Sequence, residues 1–227
     1  MVNNEAVNKK EFITKSICSN HTAKMQDMLS ISTSALENTI CCERAQNNNC
    51  VCSKCYARKQ LKRYKALAAK CKANHDFYTT VKLAPEDIPA INAAFFRFES
   101  FGELQNVRQF ENYNMIAKCN PQTRFTLWTK NLFIIDEFIN GGQIIAPNLS
   151  IIYSVSALNV APSDMMDYLS RHSYTEFVNA VFAVWTDEQA AADRDITINC
   201  GGNKCIECRR CYTLDHNKIT FINELLK

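Results

Sequence analysis

Seven of the twelve cysteines fall into two sets with metal-ligand spacing. The first set is Cys42-x9-Cys52-x2-Cys55, with Cys41 and Cys50 as neighbours that could substitute. The second is Cys200-x4-Cys205-x2-Cys208-x2-Cys211. Three thiolates leave one coordination position open, which separates a reactive metal site from a closed structural one, whereas four can close a site. The two consecutive C-x2-C steps of the second set match the ligand runs of iron–sulfur proteins. Zinc is the competing reading, with Cys52 and Cys55 joining Cys205 and Cys208 in one four-thiolate site. Cys18, Cys71 and Cys119 are single and read as small apolar residues, and His21, His75, His172 and His216 share no metal-like spacing.

Two further stretches place chemistry-bearing residues just past apolar runs. In Arg97-Phe-Glu-Ser-Phe-Gly-Glu103, Gly102 permits close approach to the backbone and Glu103 can accept from an ammonium group or serve as a first-turn helix carboxylate. In Trp128-Thr-Lys-Asn131, Lys130 can bind a carboxylate or phosphate, or be solvated. The run Arg58 to Lys72 is locally very basic, a pattern shared by solvated helix faces and nucleic-acid surfaces.

The elements that position these residues follow from periodicity. Strands are expected at Leu29–Ser34, Ala94–Ser100, Arg124–Lys130, Leu149–Val155, Phe177–Trp185 and Ile196–Asn199. Helices are expected at Cys55–Asn74, Leu104–Ala117, Leu132–Ile139 and Ser163–Ser170. Strands separated by helices imply parallel βα units, about six of them. The expected fold is therefore α/β: a partial (βα)6-like barrel or an open parallel sheet, with two cysteine-rich metal-binding loops and ligands at the strand carboxyl ends. Residues 1–24 read as a tail, helical or loosely ordered, and residues 25–227 as one metal-binding domain ending in the cysteine-rich segment 200–212.

At 227 residues the chain can bury one substantial core, and a formal charge of +3 does not by itself imply nucleic acid. No apolar run is long enough for a membrane span and no signal peptide is evident. The expected location is the cytoplasm, where thiols stay reduced and available to metal.

Ser30-Ile-Ser-Thr-Ser34, Cys52-Ser-Lys-Cys-Tyr-Ala57, Arg97 to Glu103, Leu127-Trp-Thr-Lys-Asn131 and Cys205-Ile-Glu-Cys-Arg-Arg-Cys-Tyr212 resemble the gene product 88 family of phage and mobile-element proteins. The order of parts also resembles radical S-adenosylmethionine enzymes, although the gap from Cys42 to Cys52 is longer than theirs. That resemblance implies a [4Fe-4S] cluster on Cys42, Cys52 and Cys55, S-adenosylmethionine at its open iron, and Gly102-Glu103 as the turn meeting the amino group. It also implies an auxiliary cluster on Cys200, Cys205, Cys208 and Cys211. The leading expectation is thus an iron–sulfur protein, with enzymatic activity left open and a small molecule or nucleic acid as partner. The alternative is a zinc-stabilised phage accessory protein that binds nucleic acid or protein without catalysis.

Overall fold

The computed structural model describes residues 8–20, 23–193 and 195–226; His21 and the first seven residues lie outside them. Seven strands form one sheet in chain order: β1 Cys18–Ser19, β2 Leu29–Ile31, β3 Phe95–Phe98, β4 Arg124–Thr129, β5 Leu149–Leu158, β6 Val178–Trp185 and β7 Thr220–Leu225. β1 is antiparallel to β2, and every later pair is parallel. The α/β class and the mostly parallel sheet agree with the sequence reading. A barrel does not: among the described residues no pairing joins β7 to β1 or β2.

The helices are α1 Lys9–Ser16, α2 Thr39–Arg44, α3 Tyr56–Arg63, α4 Lys65–Thr80, α5 Val107–Cys119, α6 Leu132–Asn140, α7 Pro162–Arg171, α8 Asp187–Ala192 and α9 Cys205–Cys208. Side-chain caps fix several starts. Asn38 accepts from Cys41 N–H at α2, Asn106 from Gln109 N–H at α5 and Thr186 from Gln189 N–H at α8. The single helix expected over Cys55–Asn74 is two, parted at Tyr64, whose φ of −109° and ψ of 98° are extended. No glycine or proline causes this break. The bend lets Ala57 and Leu61 of α3 and Cys71 of α4 close on Ala35 as a small cluster, while Phe77 and Tyr78 run on into the main core.

Parallel crossovers share one hand, so a strand order that never reverses puts the connecting helices α4 to α7 on one face, with the short α9 segment lying on the other. The first of these faces holds the main core. Phe96, Phe98, Phe125, Leu127, Ile151 and Val181 point into it and meet Tyr78, Phe110, Tyr113, Ile135 and Leu169 from the helices. Ile13 of α1 is fully buried there too, so the helical alternative for the first residues is the one seen in residues 9–16. Strand alternation sends Arg97, Thr126, Trp128, Ile152, Ala180, Phe182 and Ile222 to the opposite face.

The strand expected at Ile196–Asn199 is a correction. Those residues form no ladder, and the sixth parallel strand is β7 at Thr220–Leu225. Side-chain and isolated backbone bonds hold residues 197–200 beside β7 instead: Asn223 Nδ2 donates to Thr197 O, and the Cys200 backbone N–H donates to Asn223 O at 2.9 Å. The second cysteine set therefore precedes the last strand rather than following one.

Candidate cysteine site at the strand ends

The first cysteine set lies over the carboxyl ends of β3, β4 and β5. Three contacts seat it there. Tyr56 donates its hydroxyl to Ser100 O at 2.7 Å, beyond β3. Arg44 donates to Lys130 O at 3.5 Å, beyond β4. Cys50 forms an isolated antiparallel bridge with Ala157 near the end of β5. Cys42, Cys52 and Cys55 line one cavity of about 380 Å3, together with Arg58, Lys59 and Lys62. The three cysteines chosen from spacing thus line one cavity.

Their neighbours differ from one another. The Cys42 thiol donates to Leu36 O at 3.2 Å, and Arg58 Nη1 donates to its sulfur at 3.3 Å. Consecutive helical positions diverge by about 100°, so Cys41 turns elsewhere. It lies within the electrostatic reach of Glu103, Lys130, Cys52 and Cys55, and burial pushes its thiol well above the usual range. Burial likewise pushes Cys52 up to about 12, against the pull of Lys130. Cys50 is buried, and its sulfur accepts from Cys52 N–H at 3.4 Å. Nothing in the spacing separated Cys41 from Cys42; in the structure Cys42 lines the cavity, while Cys41 faces Glu103 and Lys130 and stays within reach of Cys52 and Cys55.

Gly102 and Glu103 stand at the end of β3. Gly102 has a φ of +84°, and a Cβ there would meet Thr33 Oγ1 at 2.5 Å and Glu99 Oε2 at 2.6 Å. The close approach that needs glycine is thus made by the chain's own Thr33 and Glu99. Glu103 is 3 % exposed. Its carboxylate accepts from Thr129 Oγ1, from Lys130 N–H at 2.9 Å and from Leu104 N–H at 2.9 Å, tying the end of β3 to the end of β4. Lys130 Nζ reaches across to Ser154 Oγ on β5 at 3.0 Å. Its ammonium is the cation nearest the first set that comes from the sheet.

Glu99 was not singled out in the sequence. It is 3 % exposed, holds a φ of 58°, and accepts from Thr33 N–H and Oγ1, Gln109 Nε2 and Tyr113 Oη. Burial pushes its carboxyl up to about 8, and the nearby Glu103 pushes in the same direction.

The second set crosses the sheet face opposite the main core. Cys200 lies near the carboxyl end of β7, where Lys24 Nζ donates to its sulfur at 3.6 Å and pairs with Glu224. At the other end Tyr212 meets Phe95, at the start of β3, with ring centroids 5.3 Å apart, and its carbonyl accepts from Arg124 of β4. Between them Cys200 and Cys211 pack on Trp128, Ile152, Ala180, Phe182 and Ile222. Cys205 is half-buried and Cys208 exposed. Burial pushes Cys211 up to about 12, with Arg97 pulling it down. Arg97 stacks 4.2 Å over the Trp128 ring.

Among the described residues, no three His, Cys, Asp or Glu side chains converge closely enough to hold one metal ion. This holds alike for Cys42, Cys52 and Cys55, for Cys200, Cys205, Cys208 and Cys211, and for the alternative zinc set of Cys52, Cys55, Cys205 and Cys208. No helix among the described residues is long and apolar enough to cross a membrane.

The family's sequence model matches residues 3–219, nearly the whole chain. The chain belongs to the Gene product 88 family. In this phage family member, the match spans both cysteine sets and the strand ends that carry Gly102, Glu103 and Lys130. No curated protein and no solved structure matches the chain.

Proposed function

We propose that this Gene product 88 protein is an iron–sulfur protein whose first cysteine set holds an open-sited [4Fe-4S] cluster, in the manner of radical S-adenosylmethionine enzymes. The observation that carries the reading is the cavity formed by the cysteine loop and α3, lined by Cys42, Cys52 and Cys55 with Arg58 donating to Cys42. Thiolates around one zinc, each at roughly 2.3 Å, stand roughly 3.8 Å apart by tetrahedral geometry. A cluster spreads its thiolates wider, so the separation of the three sulfurs distinguishes the two.

The sheet supports the same reading. Its parallel strands keep chain order, and Lys24, between β1 and β2, pairs with Glu224 on β7. A cluster on three thiolates supplies single electrons and an open iron for S-adenosylmethionine. The chain's own residues supply the rest. Arg58, Lys59 and Lys62 offset thiolate charge and attract an anionic ligand, and the Lys130 ammonium faces the strand ends. Gly102 and Glu103 hold the ends of β3 and β4 in register, leaving the carboxylate with about one of its roughly four acceptor positions free. The second set, closed by Cys200, Cys205, Cys208 and Cys211, would hold an auxiliary cluster.

Anaerobic reconstitution with iron and sulfide tests this. The expected product is brown, binds S-adenosylmethionine with a shift in its spectrum, and releases 5′-deoxyadenosine on reduction. A chain that takes up iron and sulfide but neither binds nor cleaves the nucleoside overturns the radical-enzyme reading, and one that takes up zinc alone overturns the iron–sulfur reading.

A further inference from the structure

We propose that α3 and its flanks bind single-stranded nucleic acid and lead it along the helix to the mouth of the cysteine cavity. The first ground is charge segregation. Residues 44–75 contain nine Lys and Arg and no Asp or Glu, whereas the rest of the chain carries 17 basic against 23 acidic residues. A basic segment on an otherwise acidic chain is an electrostatic footprint for a polyanion rather than a general surface charge.

The second ground is that this charge is unspent. Lys54, Lys59, Lys62, Arg63 and Lys65 are exposed, and among the described residues none of them is ion-paired. Lys59 and Lys62 also rim the cavity that Cys42, Cys52 and Cys55 line. Whatever anion follows α3 therefore arrives beside the thiols.

The third ground selects the polyanion. Tyr56 and Tyr64 flank α3, 59 % and 47 % exposed, and the Arg63 guanidinium lies 5.2 Å over the Tyr64 ring. Flat π surfaces beside phosphate-binding cations are what unpaired bases stack on. An acidic peptide has no use for them. A membrane surface would require an apolar stripe on the outer side, but the apolar residues of α3, Ala57 and Leu61, are buried beneath it. The helix is roughly 12 Å long, so it meets only a few nucleotides. This binding does not depend on the cluster: a chain that takes up no iron leaves it standing.

Fluorescence anisotropy with labelled oligothymidylate and oligouridylate over a salt series tests the proposal, with poly-glutamate as competitor. Wild type is expected to bind at low salt, more tightly than poly-glutamate does. The exposed-site variant Lys59→Gln/Lys62→Gln/Arg63→Gln should lower the log–log salt slope by roughly 2, at roughly 0.7 per lost phosphate contact. Tyr64→Ala should weaken binding by about tenfold with the slope unchanged. Lys54→Gln/Lys65→Gln is a second charge variant should the triple one fold poorly. An oligonucleotide carrying 4-thiothymidine should photocrosslink to peptides containing Tyr56 or Tyr64. Absent binding, an unchanged slope, equal displacement by poly-glutamate, or crosslinks confined to the Arg209–Arg210 segment would each overturn the proposal.

Discussion

Cys42, Cys52 and Cys55 open on a cavity rimmed by Arg58, Lys59 and Lys62, whereas Cys200 and Cys211 pack on an apolar sheet face against Ile152, Ala180 and Ile222. Burial raises the thiols in both places, to about 12 for Cys52 and for Cys211, and in both a cation from the sheet opposes it, Lys130 at the first and Arg97 at the second. Their difference lies in surroundings, since the first three cysteines and Cys200, Cys205 and Cys211 are all half-buried and Cys208 is exposed. At the strand ends the loop is pinned by backbone and side-chain bonds and its thiols face basic side chains. On the sheet face Cys200 and Cys211 pack, with Trp128 and Phe182, against Ile152, Ala180 and Ile222. The same residue type thus meets cations in one region and apolar surface in the other.

The largest test of this contrast removes one region's ligands. In Cys52→Ala/Cys55→Ala, iron taken up on anaerobic reconstitution should fall to the share held by Cys200, Cys205, Cys208 and Cys211, as read by metal analysis. Loss of all iron would merge the two regions into a single site and erase the contrast.

A smaller effect should separate their mechanical roles. Glu103→Ala leaves Thr129 Oγ1 and the N–H groups of Lys130 and Leu104 without their acceptor at a buried position. Urea unfolding should show a loss of about 3 kcal/mol. Arg210→Ala, in the exposed part of the second region, should cost less than about 0.5 kcal/mol. Equal costs would mean that the strand ends are no better tied than the cover.

Much of this was legible in the sequence. Five of six expected parallel strands are present because alternation and β-branched or aromatic runs report sheet faces directly, as in Arg124–Thr129 and Val178–Trp185. Ile196–Asn199 misled because its apolar and polar residues alternate while its hydrogen bonds go to Asn223 side-chain and backbone atoms, a tertiary arrangement that periodicity cannot distinguish from a ladder. Thr220–Leu225 was hidden for the converse reason: it is short, polar at Asn223 and Glu224, and is made a strand by β6 beside it. At the site, spacing singled out Cys42, Cys52 and Cys55, which line one cavity, yet it could not say that Glu103 spends its oxygens on the end of β4. Nor could it find Glu99, whose partners Thr33, Gln109 and Tyr113 come from distant parts of the chain.

A pH-dependent effect uses that residue. Because burial raises the Glu99 carboxyl in the fold from its ordinary value near 4.5 to about 8, the native state holds a proton through this window that the unfolded chain has released. Native stability should therefore fall as pH rises from the ordinary value through about 8, and be fully present below it. Glu99→Gln should flatten that dependence in urea melts across the window. If the variant keeps the wild-type slope, the titration belongs elsewhere.

Chain-order pairing has a consequence for synthesis. A sheet in which each new strand joins the edge left by the previous one can grow as the polypeptide emerges, amino end first, with no strand forced between two that already pair. The first cysteine set is delivered early, before β3 exists to support it, and is seated as β3, β4 and β5 arrive. The segment from Cys200 to Cys211 belongs to the final crossover, between β6 and β7, and can be laid on its face only after nearly the whole chain has been made. Whatever the early thiols are to receive can reach them from an open edge throughout translation, whereas the late ones can receive nothing until almost the whole chain has been made.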